Sequence, residues 1–453
     1  MAVDLARVVE QLRTQAKRQR TLWEYYRGKQ PLLYVSENVR DYFRERGRSR
    51  LLFVENWVSV VVEAVLERIR LVSVGVSDAR AQAVVDMVWG ASGFPLLAQG
   101  VHEQALATGA AYVIVWPNRE GTPQVYYQRP GLMVGIPDSE DATRLAYAAK
   151  WWLDGDGFAR VTVYAPEALY RYRTRRKLNN GEAVQDLGVQ AFEPLGEPEP
   201  NPLEALPVVA FRPRLDGARA EFETAAPVQD MLNKTLADMM VTGEWGAFPQ
   251  RWIVTQADLS GLKNSPAGLW QIPPALVDEG EPTKVGQFEP ADLVNYTQVV
   301  EHFVNAIAAI ARVPSYYLRT SGDVPSGEAL RLMDTVLAHR ARSRVDAFMV
   351  SWREVFRLAL RFEGLDVAAH EISVEFAPTE VSFPARVAEA RAKNRQAGMP
   401  LPAILREEGK SETFISMVEE AQAEARVAEL LPGPEALDAA LRALDGTGEE
   451  EGA

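Results

Sequence analysis

Apolar residues recur at helical spacing from the start of the chain. Leu5, Val8, Val9 and Leu12 predict a helix that continues through Trp23, Tyr25 and Tyr26. A second helical pattern covers 54–70, and others lie near 79–89 and 94–108. The period then changes. Residues 112–116 are rich in β-branched and aromatic types, and 125–128, 146–153, 159–164 and 169–174 follow. Turn signals such as Glu120-Gly121 and Asp154-Gly155-Asp156-Gly157 separate them. The pattern predicts an antiparallel meander of about five strands packed on the preceding helices. In the last of them Arg171, Arg173 and Arg175 alternate with Tyr170, Tyr172 and Thr174, so the arginines share one face. That face is either solvated, beside an Asn179-Asn180-Gly181 turn, or a basic patch for DNA or a neighbouring subunit. Residues 193–207, rich in Pro, Glu and Gly, read as a linker or surface loop.

The stretch 224–362 is the most informative. Thr224 is a candidate N-cap and Pro227 suits a first helical turn, where its missing N–H costs nothing. Val228, Met231, Leu232, Leu236, Met239 and Met240 keep helical spacing until Gly243, Gly246 and Pro249. A second helix is predicted from Pro290, with Asp292 in its first turn favouring the helix dipole. Its apolar stripe, Leu293, Tyr296, Val300, Phe303, Ile307 and Ile310, is spaced like a coiled-coil seam, on a rod of about 33 Å. Between the two rods lie 249–289, with a strand-like Arg251–Val254 and a Pro/Gly-rich remainder. This insertion is too long for a turn and too short for an ordinary independent domain. Past Pro314 comes a Gly/Ser-containing loop, Arg319, Thr320, Ser321, Gly322, Asp323, Val324, Pro325 and Ser326. A helix of more than thirty residues then opens, its stripe running from Leu330 through Leu337, Phe348 and Trp352 to Phe362. Arg331, Arg340, Arg342, Arg344, Arg353, Arg357 and Arg361 occupy its polar faces, either salt-bridged within the chain or paired with acids of a neighbouring subunit. Helices near 385–396, 401–408 and 411–431, a short one beyond Pro434 and an acidic tail complete the chain.

Composition narrows the function. The chain has 453 residues, 47% apolar and 25% charged, enough for a large core and for about three domains or one elaborate one. A net charge of −13 opposes a surface that grips nucleic acid along its length. The sign varies locally: the first fifty residues carry twelve Lys/Arg against six Asp/Glu, and 415–453 carry ten acids against two bases. Cys is absent, which excludes disulfides, thiolate nucleophiles, zinc fingers and iron–sulfur clusters. His102, His302, His339 and His370 have no partner at metal-ligand spacing, so no metal and no cofactor is expected. Gly409-Lys410-Ser411 looks like the end of a P-loop, but the required first glycine is Ile404. No other catalytic motif is present, and no enzyme is expected. No apolar run reaches the roughly 18 residues that span a bilayer.

The order and spacing of several segments resemble the phage portal proteins of the SPP1-type family. They are Glu244-Trp245-Gly246-Ala247-Phe248-Pro249-Gln250-Arg251-Trp252, the compact insertion, Ala308-Ala309-Ile310-Ala311-Arg312-Val313-Pro314, Pro325-Ser326-Gly327-Glu328-Ala329-Leu330 and Trp352-Arg353-Glu354-Val355. The likeness is good over 224–362, weaker over 50–175 and poor at both ends. It implies an α+β, mostly α subunit: a wing of helices and antiparallel strands (1–223), stem helices (224–248 and 290–312), a small α/β clip (249–289), a tunnel-loop region (313–327), a long helix returning to the wing (328–395) and a helical crown with an acidic tail (396–453). It implies a ring of about twelve copies at one capsid vertex, through which double-stranded DNA is packaged and ejected. The implied partners are the large terminase, a head–tail adaptor, the major capsid protein and scaffolding protein, with no membrane, in the virion and in host cytoplasm during assembly. Loop 319–326 would then face DNA. The acids Asp278, Glu279, Glu281, Glu289, Asp292 and Glu301 would line the channel, where their repeated charge would repel phosphates rather than trap them. The alternatives are another virion structural or adaptor protein, or a nucleic-acid-processing enzyme.

Overall fold

The structure is a computed structural model, and it describes residues 4–34, 36–45, 55–179, 181–215, 217–246, 251–254, 284–287, 292–318, 326–380, 384–407, 415–421 and 423. In chain order the elements are α1 (Leu5–Tyr26), α2 (Glu37–Glu45), α3 (Trp57–Leu66), β1 (Leu71–Gly75), α4 (Ala79–Ser92) and α5 (Leu96–Thr108). Next come β2 (Ala111–Pro117), β3 (Pro123–Gln128), β4 (Met133–Pro137), β5 (Leu145–Leu153), β6 (Ala159–Tyr164) and β7 (Ala168–Thr174). Then follow β8 (Phe192–Pro194), β9 (Glu199–Pro200), β10 (Val208–Phe211), α6 (Ala226–Gly246), β11 (Arg251–Val254), β12 (Lys284–Gln287) and α7 (Val294–Ala311). The last are α8 (Gly327–Phe362), β13 (Ser373–Phe376), α9 (Pro384–Gln396) and α10 (Leu401–Glu407). The chain is α+β, and it divides into a unit over Met1–Thr379 and another over Glu380–Ala453.

The expected single meander is two sheets. β2 and β3 pair with the distant β10, whereas β4, β5, β6, β7 and β8 form a second sheet with β9 added on β7. β4 escaped the sequence pattern because Gly135 and Pro137 interrupt it. Gly135 lets the neighbours close in: a Cβ would come within 2.8 Å of the Leu145 methyls and 3.0 Å of Tyr112, and these side chains would have to shift. The crossing between sheets is fixed at Gly131, whose N–H donates to the buried Gln19 side chain of α1 at 2.8 Å and whose carbonyl accepts from Trp151 Nε1 at 2.8 Å. Residues 193–207 are not a free linker. They hold β8 and β9, and the buried Asn201 amide donates to the Ala165 and Ala205 carbonyls.

Three cores result in the larger unit, one of them between the two sheets, where Tyr112, Ile114 and Val208 meet Met133 and Ala148. Another packs α1 on the second sheet through Val8, Val9, Leu12, Trp151, Val161 and Val163. The third gathers α3, α4, α5, α6, α7 and α8 around Leu106, Phe211, Phe222, Ile307, Phe348, Trp352 and Phe356. α8 is 36 residues long, about 54 Å at the usual rise. Ser326 caps its start by accepting from the Ala329 N–H. A short sheet of β1 and β13 joins residues some 300 positions apart, a pairing with no local signal.

α6 starts at Ala226, so Pro227 sits in its first turn as expected, while Thr224 lies in the turn ahead of it rather than at the cap. Buried polar residues root this helix: Gln229 bridges the Glu55 carbonyl and the Trp57 N–H, and Asn233 accepts from the Glu55 N–H. α7 begins at Val294, four residues after Pro290, with Asp292 accepting from the Val294 N–H at 2.9 Å. β11 and β12 pair antiparallel, Arg251 opposite Gln287 and Val254 opposite Lys284, and close the base of the insertion. Gly286 is required beside Trp252, where a Cβ would sit 2.5 Å from the indole. Residues 255–283, most of the insertion, lie outside the described set. In the smaller unit α9 and α10 match the expected 385–396 and 401–408, and 415–421 is helical as part of the expected 411–431.

Candidate functional site

α6 and α7 lie side by side, with the Thr242 and Tyr296 hydroxyls 3.1 Å apart and Leu293 beside Gly243. The expected seam divides along its length. Ile307 is wholly buried with Val304, Ala308 and Ala311, and Tyr296, Val300 and Phe303 are half-buried. Ile310 is 45% exposed, as is Leu293 at 38%. Ile310 instead shares a second stripe with Val299, Phe303 and Ala306, at spacings of four, three and four. Val299 is 43% exposed. α7 is thus apolar over a wider arc than its own chain covers.

The loop 319–325 lies outside the described residues, but its two flanks are held by one cluster. Arg68, at the end of the α3 segment, donates from one guanidinium nitrogen to both Asp334 carboxylate oxygens at 2.9 Å and to the Tyr317 hydroxyl at 3.1 Å. Its other nitrogen donates to the Thr379 carbonyl. Tyr316 also donates to Asp334, and this pushes the Tyr316 hydroxyl well above its ordinary pKa, by burial first and by the Asp334 bond and charge second. Tyr316 and Tyr317 precede the loop, Asp334 follows it on α8, and Arg68 belongs to neither. Ser326, the last of the expected loop residues, is the α8 cap.

A second buried charge cluster joins the turn before α6, the end of α7 and the middle of α8. Glu221, wholly buried in its side chain, receives Arg344 Nε at 2.5 Å and two nitrogens of Arg340. Arg340 donates as well to the Glu221 carbonyl and to the Ala311 carbonyl at the end of α7. Arg214 stands 3.9 Å away. Burial raises the Glu221 pKa, but the Arg340 and Arg344 charges outweigh it, and the carboxyl stays below its usual range.

The remaining expected positions are scattered. Glu301 is exposed on α7 and Asp292 is exposed two residues ahead of that helix, whereas Asp278, Glu279, Glu281 and Glu289 lie outside the described residues. The arginines of α8 are mostly paired inside the chain: Arg342 with Asp346, Arg357 with Glu354, and Arg353 on the Ile372 carbonyl. The basic face of β7 is neutralised too, by Arg171–Glu199 at 2.7 Å and Arg173–Glu193 at 3.2 Å. His102 is far from any metal chemistry. It is fully buried and stacked on Phe348, and its Nε2 accepts from Trp352 Nε1 at 2.8 Å. Among the described residues no group of three or more His, Asp or Glu could hold a metal ion. None of the described helices is long and apolar enough to cross a membrane. Arg68 and Glu221 were not anticipated. Arg68 had a faint signal, a cation directly after an apolar helix, and Glu221 had none.

The family described as "Phage portal protein, SPP1 Gp6-like" matches residues 5–400. The portal protein of Mycobacterium phage D29 is 26% identical over 295 residues, covering 61% of this chain and 56% of the relative. The portal protein of Mycobacterium phage L5 is 27% identical over 296 residues with the same coverage. The chain thus spans little more than half the length of these curated relatives. Among solved structures, a chain in the neck of a native gene transfer agent particle, computed with C12 symmetry, has a TM-score of 0.43 at 12% identity, covering 84% of this chain and 95% of that one. A chain from the virion of the native gene transfer agent has a TM-score of 0.42, also at 12% identity, over 83% and 99%. A protein class follows from the first of these matches, which takes in most of the chain: a viral structural component. The chain belongs to the phage portal protein family, SPP1 Gp6-like.

Proposed function

We propose that copies of this chain close into a ring at one vertex of a phage capsid and that double-stranded DNA passes through its centre during packaging and ejection. In this reading α6 and α7 form the stem, the insertion carrying β11 and β12 is the clip, and α8 with the two sheets belongs to the wing. The ring docks the large terminase during packaging and a head–tail adaptor afterwards, within a shell of major capsid protein assembled with scaffolding protein. About twelve copies are expected. The loop 319–326 faces the DNA, and the acids Asp278, Glu279, Glu281, Glu289, Asp292 and Glu301 keep the channel wall from gripping phosphate.

The observation that carries this reading, beside family membership, is the second stripe of α7. Val299 and Ile310 are exposed in the single chain, and an apolar stripe along a rod calls for a neighbour. Electron microscopy of the purified protein tests it: rings with a hole as wide as a DNA duplex are expected, and a uniform population of monomers would overturn it. Ile310→Asp is expected to keep the circular dichroism and melting profile of the parent while abolishing rings on gel filtration, because the charge is desolvated only when copies meet. Ile307→Asp is a different experiment. That residue is buried within its own chain, so the substitution unfolds the subunit and reports nothing about assembly.

The loop gives a further expectation. Replacing 320–325 with a short Gly/Ser connector should leave rings intact, because the Arg68–Asp334–Tyr316 cluster that holds its flanks is untouched. DNA packaging with purified motor and proheads should fall by an order of magnitude or more. Parental packaging would remove the loop from the DNA path.

A further inference from the structure

Alternate residues of β5 and β6 face away from α1, because Ala149, Trp151, Val161 and Val163 fill the core beneath it. The opposite set includes Ala148 with Tyr164, which pack on Ile114 and Val208 in the core between the sheets, and Lys150 with Thr162 and Trp152 with Arg160 beyond it. Between this face and β2–β3 lies a cleft of about 560 Å³ lined by Trp116, Tyr126, Lys150, Trp152, Thr162 and Tyr164 among others, within the size range of ligand pockets.

The charges on this face are nearly all accounted for. Arg160 pairs with Asp154 at 2.6 Å, Arg171 with Glu199 and Arg173 with Glu193. Lys150 differs. Among the described residues no carboxylate lies within ion-pair distance of it, and its ammonium rests 5.2 Å from the centre of the Trp152 ring. Burial lowers its pKa. A lysine that gives up water without gaining an anion weakens the fold, and a tryptophan face returns only part of that loss. The cleft therefore has one half-buried positive charge with no carboxylate partner among the described residues, set among aromatic walls suited to apolar side chains. A polyanion fits poorly, since Asp154, Glu193 and Glu199 stand on the same sheet beside their arginines.

We propose that this cleft docks an extended acidic peptide segment of a different protein, with one carboxylate on Lys150 and an adjacent apolar or aromatic side chain against Trp116, Trp152 and Tyr164. The proposal goes beyond the ring and does not depend on it, because the stripe assigned to copy–copy contact is on α7.

The test titrates the full-length protein with acetyl-Val-Glu-Phe-Val-amide and with its Gln analogue, followed by tryptophan fluorescence. The Glu peptide is expected to bind about tenfold more tightly than the Gln peptide, the loss of one charge-assisted contact. Lys150→Met should erase that preference and raise the thermal midpoint of the unliganded protein, since it removes a charge that burial penalises. Equal affinity for the two peptides, or no binding of either, overturns the proposal. So does a preference that survives in Lys150→Met, or a lowered midpoint, which would make the lysine structural. A duplex oligonucleotide that displaces the peptide through Lys150 would make the ligand a nucleic acid. A change in oligomeric state in Lys150→Met would make it a second copy of the chain. Either result also overturns it.

Discussion

Glu221→Gln is expected to destabilise the larger unit by about 3–5 kcal/mol, the range for removing one partner of a buried ion cluster. The side chain is isosteric, so the loss is electrostatic. Arg340 and Arg344 would remain desolvated with no anion between them, and the Ala311 carbonyl contact would hold only one of the two guanidiniums. The cluster links the turn before α6, the end of α7 and the middle of α8, so the defect should also loosen the two rods at their root. Chemical denaturation followed by tryptophan emission reads the effect, because Trp89 and Trp352 report on the adjoining core. Arg214→Ala provides the contrast. Burial first, and then the Arg344 charge, lower the Arg214 pKa, and it reaches Glu221 only at 3.9 Å. Removing it should change stability by less than about 1 kcal/mol. If Glu221→Gln costs no more than Arg214→Ala, the cluster is not what holds the three helices together. Glu221 also sets a pH dependence. Its folded pKa is depressed, so its contribution is present above the ordinary carboxylate range and disappears as pH falls through the folded value.

The long helix α8 was legible because nothing breaks its stripe between Ser326 and Gly364, and its core residues Leu337, Phe348 and Trp352 are buried as the spacing requires. α7 was legible as a helix but not in its facing. A strict three–four repeat follows a supercoiled seam, whereas a straight helix drifts by roughly 20° per heptad. By the last turn the drift moves the buried position from Ile310 to Ala311. The strands of the second sheet were found individually, yet their division from β2 and β3 was not, because the β10 pairing bridges about ninety residues and leaves no local trace. Arg68 and Glu221 show the same limit in another form. In sequence a buried ion pair looks like two surface charges, and only the fold brings Arg68 to Asp334 or Glu221 to Arg344.

Acid should weaken this protein well above the pH at which its carboxylates titrate, and His102 is the reason. Its Nε2 accepts a hydrogen bond from Trp352 Nε1, which requires a neutral ring with that nitrogen unprotonated. Protonation would set two donors against each other inside a core that also holds Phe211 and Phe348. Burial pushes the His102 pKa down to about 3, partly offset by the Ile69 backbone. An unfolded chain would take up this proton near pH 6.5. Between those two values the unfolded state binds a proton that the folded state does not. Stability is therefore complete above about pH 6.5 and falls with each unit below it by up to roughly 1.4 kcal/mol. His102→Gln keeps an acceptor for Trp352 and cannot be protonated. It should flatten the fall between pH 6 and 5 while lowering stability at pH 8 through imperfect packing against Phe348. Trp352→Phe should differ in the acid limb: it leaves the imidazole buried without its donor, costs about 1–3 kcal/mol at pH 8, and preserves the slope in acid. Denaturation midpoints of the three proteins at pH 8, 6 and 5 separate the cases. A parental slope retained in His102→Gln would assign the acid sensitivity to other groups and leave His102 as packing alone.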